Sequence, residues 1–320
     1  MNMTDFSFNS HRYDSPVPGT RLIITGAVHG NETCGTVAIR RLIDELATGK
    51  VRLIAGHLTL VPVTNPLAFE RGQRQGERNL NRRLLPTSTP TEFEDHVANW
   101  LCPLLAAHDV LLDLHSFVGD GEPFVMIGPQ NNTGILEPFQ HAQAEWAMAV
   151  RVGVSRLVDG WLSTYARGVT RRQQRLSGTE DASVIANAGA QFGVGTTEYM
   201  RSVGGYGVTL ECGSHTDPRA PDVAYRAIIN TLTHLGLIAG SPPVAQEKME
   251  SLRIYDVIDR YHQQDRLVRD WQSFDAIEMN ELIAVRYDGT ELRAELAGRI
   301  IFPDDGAAPG EEWFYVTRCL

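Results

Sequence analysis

The sequence contains few lysines and carries an excess of acidic residues. Of its 320 residues, 29 are Lys or Arg, and only Lys50 and Lys248 among them are lysine. Asp and Glu number 39, which gives a formal net charge of −10 and a sequence pI of about 5.5. Phosphate backbones and anionic membranes repel this charge, so binding to either would require a strong local basic patch. The composition therefore predicts no nucleic-acid or membrane partner.

Paired cysteines and long apolar runs are also lacking. The four cysteines are scattered and form no Cys-x-x-Cys motif, which argues against a disulfide scaffold and a zinc knuckle. The polar N-terminal residues 1–16 do not resemble a secretory signal. No stretch approaches the roughly 18 uninterrupted apolar residues of a membrane span. These features predict a cytoplasmic protein.

Apolar residues make up 42% of the chain, enough for a sizeable core, and the length suggests about two domains. Short apolar, β-rich runs alternate with longer helical patterns along the first three quarters of the sequence. The predicted strands are 21–25, 57–63, 110–114 and 208–210, and the predicted helices are 33–46, 91–107, 135–152 and 222–237. This alternation predicts an α/β fold with helices on both faces of the sheet.

The character of the sequence changes at the Gly-Ser-Pro-Pro segment 240–243. Beyond a polar stretch, short alternating runs occur at 283–286, 299–302 and 313–317, separated by Asp-Gly turns. We therefore predict two domains, an α/β domain over residues 1–244 and a small, mostly β domain over residues 245–320.

The first candidate for chemistry is the segment Gly-Ala-Val-His-Gly-Asn-Glu at 26–32. His29 and Glu32 follow a predicted strand and precede a predicted helix, and they would supply two of the three protein ligands of an open catalytic zinc site. By itself this pair is a weak signal, because acidic residues are common in the first turn of a helix.

His115 strengthens the hypothesis because it lies at the carboxyl end of the predicted strand 110–114, where open α/β sheets bind ligands. Asp113 shares its face of the strand, and a buried carboxylate there needs a partner. It would orient the imidazole of His115. His29, Glu32 and His115 together make the two-histidine, one-glutamate set of a hydrolytic zinc site.

Glu211 ends another short strand and suits the general base that such a site needs. An arginine-rich loop at 71–83 could form an anion-binding wall. Within this loop, Arg78 and Arg83 are expected to be solvated.

In this order, these blocks resemble the succinylglutamate desuccinylase/aspartoacylase family of zinc hydrolases, which are relatives of the zinc carboxypeptidases. The matching blocks are the 26–32 segment, Arg74 followed by Asn81 and Arg82, Asp-Leu-His at 113–115, and Arg201 followed by Val-Thr-Leu-Glu ending at Glu211. The resemblance covers roughly residues 20–240 and is weaker beyond them.

The resemblance implies a carboxypeptidase-like mixed sheet flanked by helices and one Zn²⁺ per chain, held by His29, Glu32 and His115. It implies Glu211 as general base and acid, and Arg74 beside the scissile carbonyl oxygen. The substrate-binding residues implied by the resemblance are Asn81, Arg82, Arg201 and, from the C-terminal region, Tyr315. The implied reaction is removal of a short acyl group from a small anionic N-acyl amino acid. The oligomeric state is left open, with a homo-oligomer as one alternative.

The sequence departs from the family pattern at two places. Asn79 stands before Leu-Asn-Arg where many members have aspartate, and the segment 215–217, His-Thr-Asp, follows Glu211 in place of a simpler glycine-rich turn. Two other functions stay open: a zinc carboxypeptidase or peptide amidase acting on small peptides, and a non-catalytic protein that keeps the fold. The second would be expected to have lost a ligand or the base, yet all four residues are present.

Overall fold

The computed structural model describes residues 6–176 and 189–320. Within them lie fourteen strands and seven α-helices, numbered here in chain order, and one 3-10 helix, Ala190–Gly193. The strands are β1 His11–Asp14, β2 Arg21–Gly26, β3 His57–Val61, β4 Val110–Phe117, β5 Phe124–Met126, β6 Arg156–Asp159, β7 Tyr206–Ser214, β8 Glu250–Asp259, β9 Arg266–Leu267, β10 Ala276–Ile277, β11 Leu282–Val285, β12 Glu291–Arg293, β13 Gly298–Ile301 and β14 Glu312–Cys319. The helices are α1 Cys34–Ala47, α2 Pro66–Arg71, α3 Phe93–Ala106, α4 Ala142–Ala149, α5 Trp161–Leu176, α6 Thr196–Ser202 and α7 Ala220–His234.

Eleven strands form one mixed sheet in the order β1-β3-β2-β4-β7-β5-β6-β8-β14-β13-β10. Its centre, β3-β2-β4-β7, is parallel, and β5 pairs antiparallel with β7. Strands β9, β11 and β12 form a separate three-stranded sheet. The carboxyl ends of β2, β4 and β7 consequently lie side by side, and the site is built at this edge.

Alternate side chains of the central strands face two different helical layers. Leu22 and Ile24 of β2 belong to the apolar cluster that includes residues of α1 and α7. Ile23, between them, belongs to the opposite cluster with Val97 and Leu101 of α3. Because both faces are covered, the strands are apolar nearly throughout, as is typical of central parallel strands. The predicted α/β class with a β-rich C-terminal region is confirmed.

Several details differ from the sequence-based prediction. The helix predicted over 135–152 is wrong in extent, since only Ala142–Ala149 is helical. Its first residues form a loop in which Asn132 and Phe139 pair as an isolated bridge. The polar start of the C-terminal region contains the ten-residue strand β8, which pairs with β6 on one side and β14 on the other. The large sheet therefore runs across position 244, and the division into two domains stays a prediction.

None of the helices in the described residues is both long enough and apolar enough to cross a membrane.

Candidate metal centre and adjoining cavity

The backbone of the loop after β2 is packed closely against α2, at the edge of the sheet where β4 and β7 end. Gly30 lies against α2, where a β-carbon would come 2.0 Å from the carbonyl carbon and oxygen of Ala68. Only glycine fits such an approach. On the neighbouring strands, His115 of β4 is in register with Glu211 of β7. The fold thus brings together the four residues that the sequence separates by up to 182 positions.

His29, Glu32 and His115 converge, as the sequence predicts, and their candidate ligand atoms all lie within 4.8 Å of one another. Nδ1 of His29 is 2.7 Å from Oε1 of Glu32, and Nδ1 of His115 is 2.8 Å from Oε2 of the same carboxylate. All three side chains are buried. Each imidazole therefore directs one nitrogen toward a shared carboxylate.

Asp113 contacts the other nitrogen of His115, with Oδ2 2.8 Å from Nε2. The same carboxylate accepts a hydrogen bond from Thr25 Oγ1 at 2.6 Å and another from Thr196 Oγ1. Asp113 is fully buried, and these donors offset the cost of that burial. Burial acts to lower the pKa of His115, but Asp113 and Glu32 outweigh it and hold the pKa well above its usual value.

Asn79 contacts Nε2 of His29, as Asp113 contacts Nε2 of His115. Its Oδ1 lies 3.1 Å from Nε2 of His29 and also accepts the backbone N–H of Asn81 at 2.9 Å. Nε2–H is thereby the donor, which leaves Nδ1 free to bind a metal. Burial, with the nearby charge of Arg74, lowers the pKa of His29 to about 4, so this imidazole is neutral. The sequence assigned Asn79 no role, although it lies at a departure from the family pattern.

Glu211 projects into the same cavity, and its carboxylate is only partly satisfied. Oε2 is buried and has no hydrogen-bond partner among the residues that the structure describes. Burial raises the pKa of Glu211 to about 8. A buried carboxylate that lacks donors is costly, and a nearby cation or a water molecule would stabilise it.

The two imidazole nitrogens and the carboxylate they share fit a divalent metal ion, whose charge would also stabilise the nearby carboxylate of Glu211. The donor set of two nitrogens and a carboxylate is that of open hydrolytic zinc sites, and the contacts of Asp113 and Asn79 fix both imidazoles. The residues present are therefore suited to hold Zn²⁺.

Arg74 lies at the mouth of the cavity, with half of its side chain exposed. Its Nη1 donates to Oε1 of Glu32 at 3.1 Å. The guanidinium is thus adjacent to the candidate metal ligands and keeps donors that face the cavity, which has a volume of about 570 Å³.

Arg82 lies farther from the ligand cluster, on the same cavity. Its guanidinium carbon is 5.0 Å from the ring centroid of Trp161 and 4.9 Å from that of Tyr165. Nη1 donates to the carbonyl of Asn81 at 2.9 Å, while Nη2 is 3.6 Å from Glu312, beyond good hydrogen-bond length. Tyr315 also lines this part of the cavity.

Asn81 itself is engaged by α6, because its Oδ1 accepts the backbone N–H of Thr196 at 2.9 Å. Asn81 thus fixes the start of α6 against the arginine-rich loop.

Arg201 is buried and almost fully engaged by protein groups. Its guanidinium donates to Glu145 at 3.0 Å, to Glu137 at 2.9 Å, to Glu198 at 3.3 Å and to the carbonyl of Gly207 at 3.1 Å. Burial, together with its acidic neighbours, raises the pKa of Glu137 to about 7. The predicted role of Arg201 in binding a substrate carboxylate stays a prediction, and three carboxylates already surround it.

The expectation that Arg78 is solvated is wrong. Its side chain is only 13% exposed and pairs with Asp95 at 2.9 Å and Glu92 at 3.0 Å, which fastens the arginine-rich loop to the start of α3. Arg83 is half exposed, as expected, with a single long contact to Glu92. Loop arginines differ in this way because tertiary partners, which sequence spacing does not reveal, decide their burial.

His215 lies beside the ligand cluster without joining it. Nδ1 is hydrogen-bonded to Oγ of Ser116 at 2.8 Å, and Nε2 is 3.5 Å from Nδ2 of Asn31. Burial lowers the pKa of His215, so the imidazole is neutral near pH 7. Both departures from the family pattern, at Asn79 and at His215, consequently line the surroundings of the candidate metal site.

A family model and several curated proteins match part of the chain. Residues 18–126 match the model of the succinylglutamate desuccinylase/aspartoacylase catalytic domain. The chain is similar to a probable aspartoacylase from Nostoc sp., with 31% identity over 120 residues, 35% of this chain and 40% of that protein. It is also similar to a succinylglutamate desuccinylase from Shewanella denitrificans, with 42% identity over 71 residues, 22% of this chain and 20% of that protein. The matches thus span less than half the length of these curated relatives.

Solved structures match the fold of nearly the whole chain. A succinylglutamate desuccinylase/aspartoacylase from Rhodobacter sphaeroides has a TM-score of 0.70 and 18% identity, covering 98% of this chain and 90% of that one. The product-bound ectoine utilization protein EutE (DoeB) from Ruegeria pomeroyi has a TM-score of 0.67 and 23% identity, covering 95% and 87%. At these identities the likeness establishes the fold. The resemblance to this family that the sequence predicts is confirmed over the matched residues.

Proposed function

We propose that this chain, a relative of the succinylglutamate desuccinylase/aspartoacylase family, is a zinc-dependent amide hydrolase that removes a short acyl group from an N-acyl amino acid. The observation that carries the proposal is the convergence of His29, Glu32 and His115, with the buried carboxylate of Glu211 lining the same cavity. One Zn²⁺ held by the first three residues would polarise the amide carbonyl and lower the pKa of the attacking water.

The proton transfer, the stabilisation of the amide oxygen and the orientation of the ligands would depend on side chains of this chain. Glu211 takes the proton of the attacking water and delivers it to the leaving nitrogen, a role supported by its position on β7 beside the ligand His115. Arg74 donates hydrogen bonds to the amide oxygen as negative charge develops there, an interaction worth about 3–4 kcal/mol in comparable oxyanion sites. Asp113 and Asn79 hold the two imidazoles in the tautomers that bind a metal.

Substrate orientation would come from the other end of the cavity. Arg82 and Asn81 lie on the loop that contacts α6, and Arg82 keeps donors for the α-carboxylate of the amino acid. Tyr315 of β14 lines the same space. The C-terminal region therefore contributes to the pocket, which favours small substrates over long peptides. We propose that the first domain ends at residue 244 and that β8 and β14 of the C-terminal region extend its sheet.

The test is Glu211→Gln in the purified full chain. This variant should keep about one bound zinc per chain, measured by elemental analysis, because Glu211 is not a ligand. Its kcat on a panel of N-acetyl and N-succinyl amino acids should fall by about 10²–10⁴-fold, since general acid–base catalysis contributes that much. Glu70→Gln, a matched change at an exposed position on α2, should leave kcat unchanged.

Three results would contradict the proposal. Near-normal turnover of Glu211→Gln would reject the assigned base. Purified protein that binds no zinc and cleaves no acyl amino acid would favour a non-catalytic role, whereas cleavage of dipeptides in preference to every acyl amino acid would indicate a peptidase.

A further inference from the structure

The half of the cavity beyond the candidate metal ligands is lined largely by aromatic rings. The ring centroids of Trp161 and Tyr315 are 5.3 Å apart, and those of Phe302 and Tyr315 are 6.2 Å apart. Tyr165 lies 5.8 Å from Trp161 and 6.3 Å from Phe192. All five rings line the cavity. They come from α5, the 3-10 helix before α6, the residue that follows β13, and β14, so distant parts of the chain build one apolar wall.

Apart from Arg82, the charges in this half of the cavity are already balanced by protein partners or leave an excess of acid. Glu312 lies between Arg82, at 3.6 Å, and Arg172, at 3.0 Å, and Arg172 also pairs with Asp259. A second carboxylate entering here would meet Glu312, which lowers its affinity through like-charge repulsion.

The positive charge of Arg201 is likewise compensated by neighbouring carboxylates. There one guanidinium faces three carboxylates, those of Glu137, Glu145 and Glu198, and Glu198 also lines the cavity. An acidic substrate side chain would therefore find no uncompensated cation at Arg201.

Arg82 links the proposed reaction centre with this wall. Its guanidinium lies over the Trp161 and Tyr165 rings while its contact with Glu312 is long, so it can still hold one α-carboxylate. An amino acid anchored there has its Cα beside the aromatic rings, and its side chain extends across them.

We propose that the substrate is an N-acyl amino acid with a bulky apolar or aromatic side chain, and that Trp161 is a specificity-determining residue that contacts this side chain. The proposal rests on the acyl-amino-acid hydrolysis proposed above. A flat apolar side chain buried against rings gains both apolar contact area and ring-to-ring contacts.

The experiment measures kcat/KM of the zinc-loaded full chain on N-acetyl derivatives of Phe, Leu, Ala, Asp, Glu and Lys. N-acetyl-Phe and N-acetyl-Leu should exceed N-acetyl-Ala by about tenfold or more, and N-acetyl-Asp and N-acetyl-Glu should be the poorest. N-octanoyl-Ala, compared with N-acetyl-Phe, tests whether the wall receives the acyl chain in place of the amino-acid side chain.

Trp161→Ala should lower kcat/KM for N-acetyl-Phe by about tenfold and change N-acetyl-Ala little, since only the larger substrate reaches the ring. Trp161→Phe keeps an aromatic ring and should restore most of the loss. It also lacks the N–H that Trp161 donates to the carbonyl of Gly193 at 3.3 Å, so it separates the effect of the ring from the effect of that hydrogen bond. Trp146→Ala, at a half-exposed tryptophan on α4, is the matched control and should behave as wild type.

Preference for acidic or basic N-acetyl amino acids, or for N-octanoyl-Ala over N-acetyl-Phe, would overturn the assignment while leaving the hydrolysis itself established. An equal loss on all substrates in Trp161→Ala, restored by Trp161→Phe, would also overturn it. A protein inactive on the whole panel would instead overturn the function on which the assignment rests.

Discussion

The two ends of the cavity use charged side chains in opposite ways. At the ligand end, a single carboxylate, Glu32, is shared by two imidazoles, and Oε2 of Glu211 lacks a partner among the described residues. At the far end, Arg201 is surrounded by three glutamates. A buried polar atom that lacks a hydrogen-bond partner indicates where a ligand is expected to bind. A guanidinium that is already paired with carboxylates mainly stabilises the structure.

The largest effect that this comparison predicts is on stability, at Arg201. Arg201→Met would leave Glu145 and Glu198 without the cation they surround, and removal of one partner from a buried ion pair costs about 3–5 kcal/mol. Urea unfolding should show this loss in the free energy of unfolding. Arg293→Met, which removes an exposed pair with Glu291, should have little effect.

The opposite outcome would change the interpretation of the far end. If Arg201→Met kept full stability and raised KM for N-acyl amino acids, Arg201 would be a substrate-binding residue, as the family resemblance implies, and the two ends of the cavity would be alike.

The ligand end could be predicted from the sequence because each of its residues is fixed by local chain position. His29 and Glu32 follow β2, His115 lies near the end of β4 and Glu211 lies in the second half of β7, and parallel strands bring these ends together. The α/β class followed from the same apolar runs.

The far end could not be predicted in this way. Its contacts join α5, β8 and β14, whose pairing depends on tertiary packing. Arg172 pairs with Asp259 across 87 positions, and Arg201 with Glu145 across 56. Such partners have no spacing rule, and the same cause explains why Arg78 was wrongly expected to be solvated. Asn79 had a detectable signal in its departure from the family pattern, but only the structure shows its contact with His29.

The second-largest effect that the comparison predicts is on zinc affinity, at Asn79. This residue orients the candidate ligand His29 without binding the metal itself. Asn79→Leu removes the acceptor for Nε2–H of His29, and loss of such outer contacts typically costs about 10–100-fold in metal affinity. Zinc competition with a chromophoric chelator measures it. Asn79→Asp keeps an acceptor and should retain or raise affinity.

Equal zinc affinities for wild type and Asn79→Leu would show that His29 is held by its packing alone. The ligand end would then be less organised by its surroundings than the contacts of Asn79 and Asp113 indicate.

The smallest effect is expected at the pair formed by Ser116 and His215, which adjoins the ligand end but offers no ligand to it. Their hydrogen bond is 2.8 Å long, and a bond of this kind contributes about 0.5–1.5 kcal/mol to stability. A double-mutant cycle with Ser116→Ala and His215→Phe should show a coupling energy of that size in urea unfolding. Zinc content should be unchanged in all three variants, because neither side chain belongs to the cluster of His29, Glu32 and His115. Loss of zinc from His215→Phe alone would mean that the candidate site has a fourth protein ligand, and a site closed in this way would have no position left for a reacting water.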